Sequence, residues 1–194
     1  MNAPASVMHV LFLFLGLFSF AGAALLLIQF KNNRQAYISL WVIGSLLVSL
    51  STFLLALKEA LPDFISVNVA AGLNIAAYVY FFHACQSLQG NKISFSQLAG
   101  KAVIFSFGFT GIFVAVGHYL GARYQPSMIA LSLAALNFLA ARSAYQFYQR
   151  RPFNLALALA TTFLLFGLIW CLRLSMTIFY GLGFAYEGGE FNVV

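Results

Sequence analysis

Arg173 is a cation deep inside an apolar run, about 19 residues into the last long hydrophobic stretch of the chain. At 1.5 Å per residue that is about 28 Å along a helix. A guanidinium there has two uses. It binds an anionic ligand group or a partner carboxylate, or it snorkels to headgroups at the membrane boundary. Uncharged polar groups also interrupt the apolar runs: Asn68, Asn74, Gln86, Asn137 and Gln146. Such groups either hydrogen-bond one helix to another or line a ligand path. Asn74 and Tyr78 are four apart and share a helical face. With Asn137 at mid-depth of a later run, they form the expected polar lining, and Asn68 and Arg173 complete the candidate ligand-binding set.

Other chemistries lack their residues. The four carboxylates, Glu59, Asp63, Glu187 and Glu190, all fall in loops or the tail, so ion coupling through a membrane carboxylate has no candidate. No lysine lies in mid-span to carry a retinal Schiff base. No phosphate-binding glycine loop, paired metal-ligand motif or catalytic constellation occurs, and no cofactor is expected. The three histidines divide between the two ends of the runs. His9 and His118 are predicted at one end and His83 at the other. A His9–His118 pair stays open; interfacial histidines bonded to water or backbone are the plainer expectation. Cys85 and Cys171 are expected as buried thiols.

These residues must be positioned by helices in lipid. Hydrophobic residues make up 62% of the 194-residue chain and charged residues 7%, with a mean hydropathy of +0.91, against roughly 25% charged in a soluble domain. A hydrocarbon core of about 30 Å needs about 20 helical residues. Six runs meet that length, at about 7–30, 37–57, 65–88, 101–119, 127–148 and 154–180. They lack period-two alternation, so helices, which satisfy their own backbone groups, are the expected solution. The expected fold is all-α: one polytopic bundle of six transmembrane helices over residues 1–186, then a flexible tail, 187–194. The first run is too long for a signal-peptide core and has no basic segment before it, so it reads as a span. Leu174 to Tyr186 is too short for a seventh crossing; it extends the sixth helix or lies at the interface. Gly117 and Gly121, four apart, suit close helix packing. The 22 phenylalanines are expected to face lipid.

Lys31, Arg34, Lys92, Lys101, Arg142, Arg150 and Arg151 lie in or near alternate loops; Lys58, Arg123 and Arg173 lie at the opposite end. The positive-inside rule then places the three basic loops in the cytoplasm and both termini outside. Scattered basic residues suit anionic headgroups and do not suggest nucleic acid. The expected partners are membrane lipid, a hydrophobic or amphiphilic ligand, and a second copy of the chain.

One further pattern is a resemblance. Trp41-Val42-Ile43-Gly44, then Leu57-Lys58 and Leu61-Pro62, then Asn68 and Gly72, with Arg150, Arg151 and Arg173 later, resemble the N-terminal multi-span domain found ahead of bacterial GGDEF diguanylate cyclases and some sensor kinases. The similarity runs over about 36–173. It implies a sensory module in a bacterial inner membrane, with the N-terminus periplasmic. The family continues with a further span and a cytoplasmic output domain, which this sequence lacks; Glu187-Gly188-Gly189-Glu190-Phe191 is one acidic residue short of the cyclase signature and has no cyclase domain around it. The implied function is non-catalytic sensing or regulation. A small transporter or channel is the alternative, a membrane enzyme is poorly supplied with residues, and a subunit role in a larger complex stays open. A reporter active only in the cytoplasm, fused after Val194, should stay silent; strong activity would reverse the orientation or change the count.

Overall fold

The computed structural model describes residues 3–29, 36–89, 95–121, 124–152 and 154–180. Six long helices occupy them: α1 (Ala3–Gln29), α2 (Ala36–Ala56), α3 (Ala70–Leu88), α4 (Phe95–Tyr119), α5 (Gln125–Arg150) and α6 (Asn154–Tyr180). A π-helical stretch, Phe64–Val69, runs directly into α3. All six passages are long and apolar enough to cross a membrane. The chain is an all-α, multi-pass membrane bundle.

Helix ends and hydropathy ends do not coincide. α4 begins at Phe95, six residues before the apolar boundary expected at Lys101. α5 begins at Gln125, so Pro126 lies in its first turn instead of the preceding loop. Hydropathy marks where lipid stops, whereas a helix continues wherever its backbone bonds can form. Proline is tolerated at the first helical positions because its missing N–H would have no intrahelical partner there. α6 continues to Tyr180, which puts Arg173 about two turns inside its end. Residues 181–186 and the tail 187–194 lie outside the described residues.

The turn after α2 leads directly into the π-helical stretch. Pro62 stops the helical continuation of α2. Its carbonyl then accepts from the N–H groups of both Ile65 (2.9 Å) and Ser66 (3.0 Å). The Ser66 hydroxyl donates to the same carbonyl at 3.3 Å. The wider winding follows at once.

Among the described residues α3 is the hub, packed against α2, α4 and α5. α1 packs only on α2, and α6 packs mainly on α5. Lipid tails are as apolar as leucine, so no hydrophobic force draws these helices together; close packing and hydrogen bonds must do so. The buried faces are correspondingly small. α3 buries Ala70, Ala71, Gly72, Ala76, Ala77 and Ala84, and α5 buries Ala130, Ala134, Ala140, Ala141 and Ala144. Many large side chains point outward, among them Phe14, Phe18, Phe20, Phe105 and Phe107. Phe113 and Phe163 are exceptions and lie in the interior.

Hydrogen bonds join four of the interfaces. Ser49 donates to the Gly16 carbonyl of α1 (2.9 Å), and Ser51 to the Ala70 carbonyl of α3 (2.8 Å). Gln89 donates to the Ser143 carbonyl of α5 at 2.7 Å. Gln125 donates to the Phe113 carbonyl of α4 at 3.0 Å. Each contributes about 0.6 kcal/mol in a membrane. This glue is not the set expected from the sequence. Asn137 bonds back to its own helix and reaches across only to the Tyr78 hydroxyl, and Gln86 bonds His83 on its own helix. The short serine hydroxyls instead reach neighbouring backbone because the small-residue faces bring it close.

The glycine seam expected at Gly117 and Gly121 does not form. Gly121 follows the end of α4 with φ +102°, a left-handed conformation that favours glycine, and Gly117 seats the Gln125 amide. The Trp41-to-Gly44 pattern, by contrast, is a packing unit. Trp41 lies 4.7 Å from the Phe81 ring of α3 and 5.8 Å from Phe163 of α6, centroid to centroid. One turn on, a Cβ at Gly44 would sit 2.5 Å from Phe81. Gly44→Val should therefore lower unfolding resistance by about 1–3 kcal/mol in an SDS titration. Gly108→Ala, where an added Cβ meets nothing within 4 Å, should leave it unchanged or raise it.

Candidate functional site

The polar residues of α3, α5 and α6 meet near the middle of the bundle. Asn137 is the thirteenth of the 26 residues of α5 and is fully buried. Its amide nitrogen donates to the Leu133 carbonyl at 2.7 Å. Its Oδ1 has no hydrogen-bond partner, and neither does the buried Oδ1 of Asn74. Tyr78, one turn after Asn74, turns its hydroxyl oxygen toward the Asn137 amide and the Trp170 indole. Arg173 lies one turn beyond Trp170 on α6, its guanidinium carbon 5.2 Å from the indole centroid.

Three helices therefore bring together four of the five residues singled out by sequence. Asn74 and Tyr78 come from α3, Asn137 from α5 and Arg173 from α6. Asn68 stands apart. It lies in the π-helical stretch, six residues and about 9 Å before Asn74 along the chain. Trp170 was missed. Its signal was present in the sequence: a tryptophan three residues before an intramembrane arginine shares that arginine's face, and a guanidinium over an indole gains a cation–π attraction.

The group has a floor and a rim. Asn137 lies at the base, while Asn74, Tyr78, Trp170 and Arg173 are half-buried around it. Two buried amide oxygens, that of Asn137 at the base and that of Asn74 on the rim, accept nothing. An unpaired buried carbonyl costs about 1–3 kcal/mol, so a donor reaching either oxygen would be stabilising. The Arg173 end supplies positive charge. The chemistry offered is recognition of a small polar group with a donor hydrogen and negative charge density, such as a carboxyl or hydroxyl.

The other titratable groups sit elsewhere. His9 and His118 do not pair: among the described residues α1 packs on α2 alone, while α4 packs on α3, α5 and the π-helical stretch, so the two histidines are held apart. His9 instead faces Glu59 at 3.9 Å across the turn after α2, and His118 meets the Tyr119 ring edge-on. His83 bonds Gln86 at 2.9 Å. Cys85 and Cys171 are free thiols. Among the described residues no three His, Cys, Asp or Glu side chains converge. In the same turn, burial pushes the Lys58 ammonium below the ordinary lysine value, and the neighbouring Asp63 carboxylate opposes that shift.

Fold and site together define a multi-pass α-helical membrane protein with a polar group enclosed at mid-depth. No protein-family model, curated protein or solved structure matches the chain.

Asn137 meets the Tyr78 hydroxyl across the α3–α5 interface, while its oxygen is unpaired. Asn137→Leu removes the unpaired oxygen and also takes one partner from Tyr78, so the two effects should offset and resistance to SDS unfolding should change by less than about 1 kcal/mol. A larger loss would mean that the amide holds the bundle together.

Proposed function

We propose that the chain is a non-catalytic sensory or regulatory module of the membrane, which recognises the polar end of a small amphiphile at the Asn74–Tyr78–Asn137–Arg173 group. One observation carries this: two buried amide oxygens without donors, placed beside a phenol, an indole and a guanidinium in a bundle whose loops are short. A group kept for packing alone would be cheaper as leucine. The partnerless oxygens favour a site completed by something else.

The packing supplies a way to report occupancy. α1 and α2 form one pair, α5 and α6 another, and α3 joins them. The site lies where the α5–α6 pair meets α3. A ligand that prefers one placement of that pair shifts the bundle by its difference in affinity between the two placements. Such behaviour suits an input module of the kind found ahead of GGDEF cyclases and sensor kinases, in a bacterial inner membrane with the N-terminus periplasmic. Transport is the competing function; it would use the same residues but needs a path through the bundle.

The chain has two tryptophans, so Trp41→Phe leaves Trp170 as the only indole. In nanodiscs, decanoic acid, whose carboxyl the bilayer keeps partly protonated and so able to donate, and decanol should shift Trp170 emission saturably, while decylamine, whose ammonium the Arg173 guanidinium repels, and decane should not. Arg173→Leu should weaken decanoate about tenfold, the loss of about 1.4 kcal/mol, and decanol less. Equal responses to all four probes would remove the site. Saturable decanoate flux in proteoliposomes, abolished by Arg173→Leu, would favour transport.

A further inference from the structure

A second feature lies on the other side of α3. A groove of about 610 Å³ runs between α2, α3 and α4, a volume within the range of about 300–1,000 Å³ typical of ligand sites. Its walls are apolar except for the hydroxyls of Tyr80, Ser106 and Thr110. Ser106 and Thr110 lie against Gly72, where a Cβ would collide with the Thr110 hydroxyl, so those two hydroxyls are turned to the floor. Phe64, Val103 and Phe107 line the groove and are also exposed on the bundle surface, so it opens sideways into hydrocarbon.

The two ends differ. Toward the start of α4 the groove stops at a packed cluster of Leu40, Tyr80, Ala84, Leu98 and Ala102. Toward the end of α2 it reaches Phe64, the residue after Asp63. The distance from Val69 to Tyr80 is about 16 Å along the helix, close to one leaflet's half of a hydrocarbon core of about 30 Å. Lys58 follows Leu47, a wall residue, by eleven positions, about three helical turns. It therefore stands above the open end, with Asp63 and Glu59 beside it in the turn. Lys58 beside Asp63, with Glu59 facing His9 at 3.9 Å, offers a cation and carboxylates together, which complements a head carrying both charges better than a purely anionic one.

We propose that this groove seats one acyl chain of a zwitterionic phospholipid. The methyl end rests on the Leu40–Leu98 cluster. The phosphate meets Lys58, and the ammonium meets Asp63 and Glu59. The occupant is lipid because the opening faces the bilayer, one end is closed at leaflet depth and the other carries the headgroup charges. This site is independent of the polar group on the α5–α6 side.

The test is photolabelling of the full chain in nanodiscs, using phosphatidylethanolamine with a diazirine on its acyl chain. Labelled peptides are mapped by mass spectrometry. The exposed α6 face at Leu165, Phe166 and Ile169 serves as the reference for ordinary surrounding lipid. Groove peptides, 69–80 and 103–114, should be labelled about fivefold above that reference, as expected for an affinity advantage of roughly 1 kcal/mol. Phosphatidylglycerol and diacylglycerol carrying the same chain should label the groove less. Gly111→Leu fills the groove from its rim, where an added Cβ meets nothing within 4 Å, so the fold is retained. It should bring groove labelling down to the α6 level without changing α6. Lys58→Gln should erase the preference over diacylglycerol. Uniform labelling of both faces, or no response to Gly111→Leu, would overturn the proposal. Groove labelling that falls as the protein-to-lipid ratio in the membrane rises, with α6 labelling unchanged, would also overturn it, since the occupant would then be a second copy.

Discussion

Close approach of α3 to its neighbours is the constraint on which this bundle rests. In lipid, side chains gain little by leaving one oil for another, so cohesion comes from contact distance and from hydrogen bonds made across it. Alanine and glycine on α3 and α5 allow that distance. The Ser49 and Ser51 hydroxyls and the Gln89 and Gln125 amides then find carbonyls on neighbouring helices. Bulky residues at the same positions would separate the helices and lose both gains together. The outward phenylalanines follow from the same constraint, because lipid accommodates rings that a tight interface cannot.

The same constraint makes the polar group at mid-depth conspicuous. A membrane interior that spends hydrogen-bonding groups on helix contacts should not leave two amide oxygens idle. Asn137 is pinned by its bond to Leu133, which holds the amide nitrogen and leaves the oxygen without a partner. Trp170 lies between Tyr78 and Arg173 and couples the phenol to the guanidinium. The site thus belongs to the packing of α3 against α5 and α6, and any change in that packing alters it. On the far side of α3, Gly72 lets α4 approach closely, and the lipid-facing groove lies between α2, α3 and α4. Opposite faces of one helix carry two different kinds of surface, one polar and enclosed, the other apolar and open.

The number of crossings and the all-α class were legible in the sequence because length and hydropathy are local properties that every helix in lipid must meet. The face shared by Asn74 and Tyr78 was legible for the same reason, since helical phase depends only on spacing. Trp170 was within reach by the same rule, three residues before Arg173. Helix ends were less legible: α4 starts six residues before its apolar run because backbone bonding does not stop where lipid does.

What the sequence determined by itself is the solvent, the helices and their phase. Which faces meet was decided only by tertiary structure, since apolar helices in lipid match one another almost equally well and the choice turns on contacts of a few ångströms. That choice separated His9 from His118, gave most of the bonds between helix backbones to serines and glutamines, and set Asn68 apart from Asn74. It also brought residues from three distant segments around Asn137, because only packed helices can hold groups so far apart in the chain within bonding distance.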